Sequence, residues 1–73
     1  DDEKTKKAVV HQLKRDLLQL EVQYVQRDRD YKVAKAINAA KGKGADAVLN
    51  AKDSMETLEN QIQWTKEKLA ELG

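Results

Sequence analysis

The chain has 73 residues, no Cys, no Pro and no Phe, with 37% charged residues and a formal net charge of +1. That length supports one small domain at most, and without cysteine there is no disulfide framework or thiolate metal site. No apolar run approaches the roughly 20 residues of a membrane span. What remains is the profile of long amphipathic helices, rich in Ala, Glu, Lys, Leu and Arg. The opening DDEKTKK lacks the apolar stretch and cleavage site of a signal peptide, so a soluble, cytoplasmic setting is expected. The missing initiator Met points to a processed or excised piece.

The first predicted helix covers residues 2–41. Val10, Leu13, Leu17, Leu20, Tyr24, Arg27, Tyr31, Ala34 and Asn38 step alternately by three and four, a heptad seam. Asp1, Asp2 and Glu3 sit where a helix N-terminus favours acid, and Lys41 and Lys43 where its C-terminus favours base. The stretch RDRDY at 27–31 interrupts the apolar pattern, and Asp is a poor helix former. A break near residues 27–30 would give a three-helix bundle. With neither Gly nor Pro there, one continuous helix is expected.

The segment AAKGKGAD follows, with two of the three glycines of the chain. Glycine reaches positive φ at little cost, so Gly42 and Gly44 can end one helix and let the chain reverse. Residues 42–44 are the expected turn.

The second predicted helix covers residues 45–72, roughly 40 Å long. Val48, Ala51, Met55, Leu58, Ile62, Thr65, Leu69 and Leu72 form its seam, with Thr65 the one polar member. Asp46 suits capping and the helix dipole, and Gly73 is a natural stop. Folding the chain back at KGKG brings the seams together at a constant index sum: Ala34 meets Ala51, Tyr31 meets Met55, Arg27 meets Leu58, Tyr24 meets Ile62 and Leu20 meets Thr65. The fold expected is all-α, a single domain over residues 1–73, an antiparallel two-helix hairpin of coiled-coil type. Residues 1–44 hold eleven Lys/Arg against seven Asp/Glu, and residues 45–73 three against six, so the two halves attract.

A further stripe lies beside the first seam: His11, Leu18, Val22, Val25, Val33, Ala36 and Ala40. The narrow seam of the second helix cannot cover it, and a two-helix core is thin. Association into a four-helix bundle is the economical outcome, so a homodimer or higher homo-oligomer is expected, with Leu18, Val22, Val25, Val33 and Ala36 as the self-association interface. Trp64 lies off its seam and is either exposed or part of that contact.

Chemistry-bearing patterns are sparse. His11 is the only histidine, and no carboxylate shares its face three or four residues away, so no metal site is expected. Ser54 is mid-helix without a base nearby in sequence. Gly42-Lys43-Gly44 lacks the spacing and preceding strand of a phosphate loop. Asp2/Lys6, Glu3/Lys7, Asp28/Lys32 and Lys52/Glu56 have helix-pairing spacing. Catalytic, cofactor, metal and small-molecule sites are therefore not expected, and no enzyme. A membrane-surface role is disfavoured because the apolar faces lack aromatic anchors.

Around the turn, Arg27, Arg29, Lys32, Lys35, Lys41 and Lys43 outnumber Asp28 and Asp30. A basic tip can bind phosphates with counterion release. Lys35, Ile37, Ala40, Lys41, Gly44 and Asp46, in the pattern K-x-I-x-x-A-K-x-x-G-x-D, resemble the hairpin tip of the N-terminal arm of bacterial seryl-tRNA synthetases. The resemblance spans roughly residues 27–70. It implies a long antiparallel coiled coil that contacts tRNA, here through Arg27, Lys32, Lys35 and Lys41. The chain departs from that pattern at Asp30-Tyr31, Asn38 and Ala45, and has no catalytic domain.

The leading expectation is a non-enzymatic structural module for self-assembly or protein interaction. Even heptads and a two-glycine turn also suit a designed or excised helical bundle. An RNA-binding hairpin using the basic tip is the alternative.

Overall fold

The computed structural model describes residues 2–73 and consists of two helices, α1 (Asp2–Lys41) and α2 (Ala45–Leu72), with no strand among the described residues. Asp1, counted above among the N-terminal acids, lies outside them. The molecule measures 59 × 14 × 13 Å. Forty helical residues rise about 60 Å, so α1 alone sets the length and α2 packs back along it. The three-helix alternative is overturned. α1 runs unbroken through Arg27–Tyr31, where Asp28 bonds Lys32 at 3.0 Å and Arg27 lies 3.9 Å from Asp30. Pairs at this spacing each return a few tenths of a kcal/mol, which offsets the poor propensity of aspartate.

Each glycine of the connection has its own duty. Gly42 has φ 65° and donates its N–H to the Asn38 carbonyl at 2.8 Å, a left-handed cap that satisfies a last-turn acceptor of α1. Gly44 has φ 86° and sits at the N-cap of α2, its carbonyl accepting from Val48 N–H at 3.1 Å. Asp46 is therefore not the cap. It lies within the first turn, where the helix dipole still favours a carboxylate. Asn38 Nδ2 also donates to the Lys43 carbonyl at 3.0 Å, so a polar residue on the seam fastens the connection from inside.

The core is thin. Leu58 (7% exposed) and Thr65 (3%) are buried, and the rest of the α2 seam is half-buried: Val48, Ala51, Met55, Ile62, Leu69 and Leu72. The α1 seam is half-buried at Val10, Leu13, Leu17, Leu20, Tyr24, Tyr31, Ala34 and Asn38, and Arg27 is its one exposed member. Facing Leu58, Arg27 keeps its guanidinium in solvent beside Asp30, because burying an unpaired charge costs far more than a surface gap. Thr65 solves the same problem locally, its hydroxyl donating to the Gln61 carbonyl at 2.8 Å one turn back. Thr65→Val leaves the Gln61 carbonyl its helical N–H donor and adds apolar contact, so it is expected to raise unfolding free energy by about 0.5–1 kcal/mol in urea titration.

Tyr24 closes the hairpin at mid-length, donating its phenol O–H to Glu59 Oε1 across the two helices at 2.8 Å. That bond, helped by slight burial and the negative charges of Glu59 and Asp28, holds the phenol above its ordinary value of 10.0. The folded state thus prefers the protonated phenol. The stabilisation is complete below the unfolded pKa and is lost as pH rises through the folded one. Absorbance titration should place the Tyr24 midpoint above 10, and Glu59→Gln should lower it.

Candidate assembly interface

With α2 packed on positions a and d of the α1 heptad, the remaining positions sort by distance from that contact, with b, c and f farthest away. His11, Leu18 and Val25 are b positions, Val22 and Ala36 are f, and Val33 and Ala40 are c. The second stripe thus lies on the far side of α1, not beside the seam as the sequence reading placed it. Exposure agrees: Leu18 is 65% exposed, Val22 57%, Val25 59% and Val33 54%, and Ala36 is exposed too. All five expected interface residues therefore share one outward face over about five turns of helix. On α2 the corresponding outward positions carry Leu49 (58% exposed) and Trp64 (56%).

This surface is large for the mass. The accessible area is 5853 Å², whereas a compact monomer of 8.3 kDa exposes about 4,600 Å². The excess is on the order of 1,000 Å², comparable to what a specific protein interface buries. No described side chain of the hairpin buries the outward stripe.

The basic residues near the turn divide into two groups. Arg27 and Lys32 are engaged with Asp30 and Asp28. Lys35 lies over the Tyr31 ring at 5.7 Å, and Lys41 is exposed in the last turn of α1. Of the four residues expected to contact nucleic acid, two thus have a carboxylate beside them. The Asp28–Lys32 pair follows its helical spacing, whereas the hydrogen bonds of Asn38 and Glu59 were not part of the sequence reading. The signal for Asn38 was available, since an amide at a seam position three residues before a turn glycine has a backbone acceptor within reach.

Open grooves run along the helix pair. One is lined by Leu20, Thr57, Asn60, Gln61, Trp64 and Thr65, and another by Tyr24, Val25, Glu59 and Ile62. The first also takes in Asp16, and the second contains the Tyr24–Glu59 hydrogen bond. Among the described residues, no three His, Asp or Glu converge as metal ligands, and neither helix is long and apolar enough to cross a membrane. No family model, curated protein or solved structure matches this chain.

Proposed function

We propose that the protein is a self-assembly module, a coiled-coil-type hairpin that associates with further copies of itself through the outward stripe of α1. The observation that carries this reading is the exposure of Leu18, Val22, Val25 and Val33 on one face that α2 leaves uncovered. Single exposed apolar residues are ordinary, but a contiguous row along a helix marks a contact surface. A hairpin with one buried hydrophobic residue also gains most from sharing that row with a partner. Two copies joined in this way set four helices side by side, with the α1 stripe covered between them.

Val22→Glu with Val25→Glu tests it. Both positions are exposed, so the variant is expected to keep its helical circular dichroism while its solution mass falls to 8.3 kDa. A wild-type chain that sediments as a monomer up to millimolar concentration would sink the reading.

A phosphate-binding tip is the second reading, favoured by the exposed Lys41 and Lys43 beside the turn. Its mark would be RNA affinity that falls steeply with salt and is lost on Lys35→Glu with Lys41→Glu.

A further inference from the structure

The outward faces of the two helices carry opposite charge without mixing. At positions b, c and f, α1 presents Lys4, Arg15, Arg29 and Lys32 and no acid from residue 4 to residue 40. At the same positions α2 presents Asp46, Asp53, Glu56, Glu67 and Glu71 and no base. Ordinary surfaces intersperse the signs. Arg15, Arg29, Asp53 and Glu56 also make no ion pair with another described residue.

We infer that the partner of the α1 outward face is the α2 outward face of a second copy, so that the hairpins join side by side in an open, head-to-tail array. This rests on the self-assembly reading and names its second surface. Laid antiparallel, the two faces match in one register with a constant index sum. Arg15 then faces Glu67, Leu18 faces Trp64, Arg29 faces Asp53 and Val33 faces Leu49. Both large apolar residues left exposed on the far side of α2 thus meet apolar residues of α1, and two arginines meet carboxylates. The symmetric alternative pairs α1 with α1. Its antiparallel register centred on Val22 sets Arg15 against Arg29 twice, and a parallel pairing sets every base against itself.

Each hairpin has one basic and one acidic outward face, on opposite sides. A contact between unlike faces leaves one of each free, so it does not close on itself and growth continues. This differs from a closed dimer in a way that solution mass reads directly.

The test uses the wild-type chain and two charge-reversed variants, Arg15→Glu with Arg29→Glu and Asp53→Arg with Glu67→Arg. The wild-type mass is expected to rise past the dimer with concentration, more strongly at low salt, and Trp64 fluorescence to shift to the blue as the indole is covered. Each variant alone sets like charges against each other at both paired positions and should associate about tenfold more weakly. Their equimolar mixture should recover growth, because unlike faces are again available. Three results overturn the inference while leaving self-assembly intact: a mass that stops at the dimer, a Trp64 emission unchanged on association, or an acidic-face variant that associates like wild type. A wild-type chain that stays monomeric removes both readings, and one that stays monomeric yet binds a polyanion through Arg15 and Arg29 assigns the basic face to a different partner. Circular dichroism of both variants should match wild type, since all four positions are exposed.

Discussion

Leu58→Asp is expected to abolish most of the helical circular dichroism signal at neutral pH. Leu58 is the one buried hydrophobic residue among the described residues, 7% exposed, at the centre of the α2 seam. Removing its side chain alone costs about 2–5 kcal/mol through lost transfer energy and the cavity left behind. A carboxylate there adds a desolvation penalty of several kcal/mol. Arg27, the nearest cation across the seam, is turned to solvent beside Asp30, and drawing it inward would desolvate a second charge. A small domain has only about 5–15 kcal/mol in total, and this one has little core. Unfolding should therefore be nearly complete. Val9→Asp is the matched control, because Val9 is 42% exposed and lies on neither apolar stripe, and it should change stability by less than about 0.5 kcal/mol. An unchanged spectrum for Leu58→Asp would remove Leu58 from the seam.

The second large effect is expected at the connection. Gly42 and Gly44 have φ of 65° and 86°, and a Cβ at either would meet nothing within 4 Å. The cost of Gly42→Ala with Gly44→Ala is thus conformational and not steric against neighbours, about 1–2 kcal/mol for each left-handed residue. Restricting the unfolded chain returns about 0.4–1 kcal/mol for each replacement. The net loss of about 2 kcal/mol should lower the melting midpoint of a chain this size by about 10 °C. D-alanine at the same two positions adopts positive φ freely and should restore the midpoint or raise it. A double L-alanine variant that melts with wild type would mean that the connection relaxes to another conformation without loss of packing.

These expectations differ in how much of their basis is visible in the residues alone. Periodicity is a local property, and the steps of three and four along Val48 to Leu72 specify a one-faced helix whatever it packs on. The same holds for the glycines of KGKG, whose use follows from backbone sterics at single residues. Helix α1 is different because it carries two apolar stripes, and its own sequence does not rank them. Packing of α2 does. A three-residue connection fastened by the Asn38 amide commits α2 to one side, and the a/d stripe becomes the core.

The exposure of the second stripe follows from that choice. Leu18, Val22, Val25, Val33 and Ala36 were legible as an apolar group, but their position behind α1 became definite only once α2 occupied the opposite face. Individual polar residues depended on tertiary context in the same way. Arg27 occupies a seam position yet stays in solvent, since a lone guanidinium pays more for burial than the seam gains by closing over it. Asp28 and Asp30 oppose helix by propensity, and ion pairs with Lys32 and Arg27 together with the packing of α1 on α2 override them. Tyr24 reads from the sequence as a seam aromatic, and only the opposing helix supplies Glu59 to receive its hydroxyl. The sequence by itself determined where the helices run and where the chain turns, because those depend on residues within a few positions of one another. The tertiary structure decided which face is core and which stays exposed, because that depends on groups far apart in the chain.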